Sequence, residues 1–414
     1  MADRQILYAG AFLRALSTGM VSVLVGLHLD AIGFNTGAIG GIVGAGLAGC
    51  AGAALLTTWR GDRMGRRRVL ILLALLGTAG GLAVAVGSHT LVVGVAAFLG
   101  MLNGMGRDRG ASLIIDQVIL PATTGDAERT RVFAVYNVVQ DIGHALGGLL
   151  AGLPELLRNT LDVPTTTSFR LSIGAYALLV AVTALLYMRL SPAVEAPSVA
   201  PRVPLRPESR RILFRIASLF AVDSLAGGFL TTALLSFFFH QRFGAGEVLI
   251  GVLFFGSRIA NALSHLGAAW LARRIGLVNT MVFTHIPSSL LLITVAYAPS
   301  FPIAAILFLL REGMVEMDVP TRQSYVMAIF PPEERTFASG VTHLVRLGAW
   351  SVAPSFAGAL IQGGASMATP LVIGSLMKVG YDLALWSAFR RLKPPEERRP
   401  AGGRTPNSKT SGRW

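Results

Sequence analysis

The sequence predicts an all-α polytopic membrane protein with twelve membrane-spanning helices in two pseudo-symmetric six-helix bundles. Three observations predict it. Hydrophobic residues make up 53% of the 414-residue chain and charged ones 14%, with a mean hydropathy of +0.60, outside the range of a soluble domain of this length. Apolar stretches long enough to cross about 30 Å of hydrocarbon recur along the whole chain. The sequence also matches itself at an offset of 206 residues.

The spans centre on residues 6–29, 37–56, 69–87, 91–113, 132–153 and 171–190, then on 212–239, 248–271, 278–298, 303–320, 337–361 and 370–388. The first is longer than a signal-peptide core, so it reads as a retained helix. At the 206-residue offset Glu128-Arg129-Thr130 falls on Glu334-Arg335-Thr336, Gln117 on Gln323, and Ala151-Gly152 on Ala357-Gly358. Spans 4 and 5 therefore repeat as spans 10 and 11. The expected organisation is a six-helix half over residues 1–190, a proline-rich cytoplasmic linker over 191–210, a second six-helix half over 211–390, and a basic disordered tail over 391–414.

The net charge is +14, and its distribution points to a bilayer rather than to nucleic acid. Lys and Arg cluster in alternate loops, around residues 57–68, 189–215 and 272–277, and in the tail. The opposite loops hold only Arg158, Arg170 and Arg242. Such asymmetry places both termini in the cytoplasm of a multi-pass protein of the cell (inner) membrane. The tail carries no recognition motif and is expected to lie near anionic lipid. The single cysteine, Cys50, excludes an intramolecular disulfide, and no metal-ligand spacing occurs. The run Gly44-Ala45-Gly46-Leu47-Ala48-Gly49 fits a dinucleotide fingerprint only in letters: it lies inside an apolar span, where it serves close helix packing. No phosphate-binding loop is present, and no cofactor is expected.

The segment Asp62-Arg63-Met64-Gly65-Arg66-Arg67-Arg68, read as a tight turn between spans 2 and 3, resembles the signature loop of the major facilitator superfamily of secondary transporters. The resemblance implies that Asp62 sits against a neighbouring helix end, that Gly65 turns the chain, and that Arg63, Arg66 and Arg67 occupy the basic positions. The glycine expected four residues before the carboxylate is Thr58 here. A second reading makes these arginines only an orientation anchor. The acidic turns before spans 5 and 11 also look like the family's, whereas the Gly-Pro signature of proton antiporters is half present: span 5 has Gly143, Gly147, Gly148 and Gly152 but no proline. The resemblance further implies a substrate site between the two halves, lined by spans 1, 4, 7 and 10.

Charges inside a bilayer are costly and face a cavity or a partner. In span 10, Arg311, Asp318, Arg322 and Tyr325 share one helical stripe, and the repeat places Asp116, with Arg109 near it, on the matching stripe of span 4. Span 5 shows Asn137, Gln140, Asp141 and His144 on one face; span 11 repeats it with His343 and Arg346, and span 8 adds Arg258 and Asn261. One reading has Arg258, Arg311 and Arg346 holding an anionic solute. Asp141, His144, Asp223, Glu312 and Asp318 are then candidates for proton coupling. The other reading pairs Arg311 with Asp318 and Arg346 with Asp141 as interhelical struts. Arg14 and Asp223 could also meet across the pseudo-twofold axis as a gate. The expected function is secondary transport of a small organic solute with protons, by a monomer. Multidrug efflux, a non-transporting sensor and an intramembrane lipid-modifying enzyme are the alternatives.

Overall fold

The computed structural model describes residues 3–108, 110–122, 129–195, 206–331 and 334–390. Among them are helices and no strand. The helices are α1 (Asp3–Ala31), α2 (Thr36–Met64), α3 (Arg66–Val86), α4 (Thr90–Leu99), α5 (Ala111–Ala122), α6 (Arg129–Leu150), α7 (Leu153–Leu161) and α8 (Thr165–Tyr187), followed by a 3-10 turn at Pro192–Glu195. Then come α9 (Pro207–Gly228), α10 (Thr232–Phe243), α11 (Glu247–Ile275), α12 (Leu277–Ala296), α13 (Phe301–Val315), α14 (Asp318–Ile329), α15 (Arg335–Gln362) and α16 (Thr369–Phe389). Nine helical segments among the described residues are long and apolar enough to cross a membrane: α1, α2, α3, α8, α9 with α10, α11, α12, α15 and α16. The other three expected spans fall on α4 with α5, on α6, and on α13 with α14.

Spans 4, 7 and 10 are thus not continuous helices, and local sequence explains why. Between α4 and α5 the chain passes Gly100, Gly104, Gly106 and Gly110, with Gly106 at φ +80°; the Asn103 side chain ties the loop by accepting from Met105 N–H and donating to Arg107 O. At the α9–α10 break the Thr231 hydroxyl oxygen accepts from Leu234 N–H and caps α10. At the α13–α14 break Pro320 has no N–H to offer the carbonyl of Glu316, so the ladder is interrupted there. Backbone polar groups exposed at membrane depth need partners or a polar cavity. The breaks supply them to one another: Ala233 N–H donates to Gly104 O at 3.1 Å, and the Thr232 hydroxyl donates to Met105 O at 3.0 Å.

The N-terminal bundle (α1–α8) and the C-terminal bundle (α9–α16) are also joined where α2 crosses α15. A Cβ on Gly40 would stand 2.2 Å from Pro354 O, and one on Gly358 would stand 2.3 Å from Thr36 O, so the two backbones touch directly. At the same end of the molecule Gln241 donates to Asp30 at 2.7 Å, Arg158 pairs with Glu247 at 2.6 Å, and Val248 N–H donates to Glu155 at 3.0 Å. Each of these crosses between bundles. At the opposite end, where the N-terminus lies, the bonds at Asp3 and Glu334 stay within a bundle. The Asp3 carboxylate accepts from the Ser191 N–H and hydroxyl, and Glu334 accepts from Arg206 N–H at 2.9 Å.

Two predictions follow from this packing. Gly40→Leu should overpack the α2–α15 contact and destabilise the protein by about 1–3 kcal/mol. Gly41→Ala, with nothing within 4 Å of its Cβ, should be neutral; the melting temperatures of the purified variants compare them. The Ser209 hydroxyl and the Arg206 N–H hold the Glu334 carboxyl below the usual glutamate range. Its stabilising contribution is therefore present above the ordinary value of about 4.3 and lost as pH falls through the lowered one. Glu334→Gln should melt below wild type at neutral pH, and the difference should close in acid.

Candidate functional site

Where the three breaks converge, the structure holds a cavity of about 140 Å³, enough for a small solute or several waters. Asn103, Met105 and Arg107 line it from the N-terminal bundle with Leu47 and Cys50 of α2; the C-terminal bundle supplies Thr232, Phe254, Arg258, Arg311, Trp350 and others. Its ionisable lining consists of six cations, Arg107, Arg258, Arg311, Arg322, Arg346 and Lys378, four carboxylates, Asp223, Glu312, Glu316 and Asp318, and His285. With His285 neutral, two of the lining cations have no matching carboxylate within the lining itself.

Most of these groups neutralise one another. Arg107 pairs with Glu316 at 3.3 Å across the bundles, and Arg311 pairs with its neighbour Glu312. Asp223 stands among three cations: Lys378 at 2.8 Å, Arg322 at 3.4 Å and Arg346 at 3.6 Å. Arg322 also pairs with Asp318 one turn away on α14, and Arg346 donates to the Ser224 hydroxyl and lies over the Trp350 ring at 4.7 Å. Arg258 differs. Among the described residues no carboxylate lies within ion-pair distance of its guanidinium, although Glu312, Glu316 and Asp141 act on it electrostatically.

Several expected partnerships are not those observed. Arg311 joins Glu312 rather than Asp318, because the α13–α14 break turns Asp318 onto Arg322. Arg346 faces Asp223 rather than Asp141, which stays exposed on α6 beside the exposed Asn137. Arg14 and Asp223 do not meet; each is neutralised inside its own bundle. Asp116, assigned to a cavity stripe, is fully buried away from it, bonded to Arg14 at 2.6 Å and accepting from the Tyr136 hydroxyl at 2.8 Å. Arg14 also pairs with Asp108 at 2.8 Å and bonds Tyr187, while Gln140 reaches the Tyr136 hydroxyl at 3.5 Å. His144 accepts the Asp108 N–H at 2.8 Å, so that ring nitrogen is occupied by the backbone. Asn261 is buried, and His343 is half-buried outside the cavity lining. Arg109 lies outside the described residues.

Comparing the two bundles shows a symmetry of position with an inversion of charge. The 206-residue offset carries Asp116 onto Arg322 and Gln140 onto Arg346, and carries Arg14 to a point one turn before Asp223. One bundle is therefore centred on a cation held by carboxylates, the other on a carboxylate held by cations. Sequence reading missed Lys378, His285 and Asp382. His285 Nδ1 stands 3.0 Å from the Asp382 carboxyl, and Lys378 lies 3.3 Å from His285 Nε2. The available signal was a Lys and an Asp four residues apart in the otherwise apolar span 12.

A family model described as Major Facilitator Superfamily matches residues 7–354. The chain belongs to this superfamily. It is 27% identical over 421 aligned positions to YJR124C, an uncharacterized membrane protein of Saccharomyces cerevisiae, with 94% of each chain covered. Its fold resembles those of the nucleoside transporter NupG (TM-score 0.74, 16% identity, 94% of this chain and 100% of that one) and a D-xylose-proton symporter (0.70, 13%, 92% and 96%). It also resembles the human organic anion transporter MFSD10, at a TM-score of 0.56 and 18% identity, over 92% of this chain and 98% of that one. These likenesses concern the fold. A superfamily member of this architecture is a multi-pass membrane transporter.

The superfamily's signature segment is tighter than the expected loop. α2 continues through Asp62 and Arg63 to Met64, α3 begins at Arg66, and Gly65 alone makes the turn at φ +88°. The side chain of Asp62 lies outside the described set. Glu195 takes the place of a cap on α3: its carboxylate accepts from Arg66 N–H at 2.6 Å and Arg67 N–H at 3.0 Å, where the helix dipole favours a negative charge. Arg63 is exposed. Arg66 and Arg67 bond the carbonyls of Val194 and Met188, so the basic positions fasten the segment after α8 to the start of α3.

Removing Asp223's charge should expose how much the C-terminal cluster depends on it. Asp223→Asn leaves Lys378 and Arg346 buried without a countercharge and should cost about 3–5 kcal/mol of stability. Adding Lys378→Met should recover part of that loss, read as the melting temperatures of the single and double variants.

Proposed function

We propose that the chain is a proton-coupled secondary transporter whose solute carries a carboxylate or another compact anionic group. The observation that carries this reading is Arg258. Its guanidinium lines the central cavity paired with no carboxylate among the described residues, on a wall whose lining charges sum to an excess of two cations before Asp382, behind His285, is counted. A guanidinium offers a planar fork suited to a carboxylate or phosphate. Arg311, Arg322 and Arg346 shape the same wall but spend their charge on Glu312, Asp318 and Asp223. The names of two fold relatives, an organic anion transporter and a proton symporter, are in keeping with the reading.

The proposed orientation puts both termini in the cytoplasm of the inner membrane, as the loop charges suggest. The crossing contacts Asp30–Gln241, Arg158–Glu247 and Gly40–Gly358 then lie on the far side, and the bonds at Asp3 and Glu334 lie on the cytoplasmic side within single bundles. Such a molecule is closed outward, and rocking of the bundles about the cavity gives alternating access. The protein is proposed to work as a monomer. Polarity of the cavity favours this reading over multidrug efflux through an apolar pocket.

The test is a thermal-shift screen of the purified protein against carboxylates, phosphate esters and neutral analogues, followed by flux into proteoliposomes. Anions should stabilise it and the neutral analogues should not. Arg258→Ala should weaken the best anion by about 10- to 150-fold, the loss of one charge-assisted hydrogen bond, with the ligand-free melting temperature unchanged. Arg346→Ala, which breaks a pair with Asp223, should instead lower the ligand-free melting temperature. Stabilisation by neutral solutes as strong as by anions, or an Arg258→Ala variant with wild-type affinity, would sink the anion reading.

A further inference from the structure

Behind the cavity wall, α9, α12 and α16 enclose four ionisable side chains in one hydrogen-bonded file. Asp223 Oδ1 accepts from Lys378 Nζ at 2.8 Å, Lys378 Nζ stands 3.3 Å from His285 Nε2, and His285 Nδ1 stands 3.0 Å from both oxygens of Asp382. All four are buried, with exposures of 3% at Asp223, 7% at Lys378, 2% at His285 and 0% at Asp382. Asp223, Lys378 and His285 line the cavity; Asp382 is not among its lining. Helix packing alone does not call for such a file. Apolar side chains would fill the α12–α16 contact without the cost of burying charge, and the 206-residue offset puts Ala79, Ser172 and Tyr176 where His285, Lys378 and Asp382 stand.

We propose that the His285–Asp382 pair is the binding site of the coupling proton and that Lys378 connects it to the cavity at Asp223. This rests on the transport reading above and names the place of its proton. An ammonium only donates, so Lys378 requires a bare Nε2, and the ring proton on Nδ1 donates to Asp382. In uptake, an N–H bond of Lys378 breaks as one forms on Nε2, while the Nδ1–H bond breaks as an O–H bond forms on Asp382. The neutral Nζ regains a proton from cavity water. The net change is one proton moved from water onto Asp382, with His285 left in its other tautomer; release is the reverse.

Two consequences reach the cavity. With Nε2 protonated, Lys378 loses its acceptor there and is held by Asp223 alone, which alters the countercharge shared with Arg322 and Arg346. Asp223 of α9 and Lys378 of α16 act on the pair directly, and the Tyr381 ring of α16 meets His285 edge-on at 6.2 Å; Arg322 of α14 and Arg346 of α15 act on Asp223, and Arg322 and Asp318 of α14 on Tyr381. Arg258 of α11 and Arg311 with Glu312 of α13 line the cavity beyond them. Asp223, Asp318 and Asp382 balance Lys378, Arg322 and Arg346 when His285 is neutral. One added proton gives this cluster a single positive charge, which adds to that of Arg258 in the adjoining cavity, so proton and anion favour each other's binding.

Infrared difference spectroscopy of the full-length protein in lipid vesicles, titrated with acid, tests the site without any solute. The wild type should gain a protonated-carboxyl band that Asp382→Asn loses and Asp223→Asn keeps. If Asp382→Asn does not fold, Asp382→Glu should shift the band in frequency. Lys378→Met should slow the deuterium shift of the band after transfer to heavy water, because the link to cavity water is gone. A band that survives Asp382→Asn, or is unmoved in Asp382→Glu, overturns the site; an unchanged exchange rate in Lys378→Met overturns the route. Absence of solute flux in the wild type, with the band present and lost in Asp382→Asn, refutes the transport reading and leaves the proton site standing.

Discussion

The carboxylate of Asp223 is the point on which the charges of the C-terminal bundle depend. Three cations converge on it from α14, α15 and α16, and an uncompensated cation at that depth costs several kcal/mol. Because one side chain balances three, no single pair can be changed without redistributing the others. The geometry also decides which arginine remains for a ligand. Arg322 and Arg346 are drawn to Asp223, Arg311 is taken by Glu312, and Arg258 is left facing the cavity.

The N-terminal bundle meets the same constraint with opposite sign. Arg14 collects Asp108, Asp116, Tyr136 and Tyr187 around itself. A repeated scaffold has thus been filled twice, once around a buried cation and once around a buried anion. The consequence is an asymmetric cavity whose ionisable walls, Arg107 aside, belong to the C-terminal bundle. The N-terminal bundle contributes mostly backbone and small or neutral side chains around Asn103 and Met105.

Interruption of spans 4, 7 and 10 has a structural consequence. Free backbone groups at membrane depth must find partners, and here those of one bundle bond those of the other, as at Ala233 with Gly104. At mid-depth the bundles meet through these directional bonds and the Arg107–Glu316 pair, beside apolar packing of α1 and α2 on α10 and α15. α2 packs on α15 along most of its length, from Gly40 against Gly358 to Ala54 beside Leu347 and Trp350.

Much of this was legible in the sequence. Hydropathy placed the spans, since twenty apolar residues in a row have few other uses, and the exact 206-residue offset announced the duplication. The Gly65 turn was visible too, because only glycine suits its positive φ at a one-residue join. That intramembrane charges exist was also readable, and those of spans 7, 8 and 10 do face the cavity, although Asp141 of span 5 stays exposed. Their partners were not. Helical phase fixes direction only while the helix is unbroken, and the break after Val315 moved Asp318 from Arg311 to Arg322. His285, Lys378 and Asp382 were passed over because they lie on spans 9 and 12, outside the set the family resemblance assigns to the cavity. Pairing among distant helices depends on crossing angles and on which charge reaches a shared partner first, and these are properties of the packed bundles that no single segment encodes.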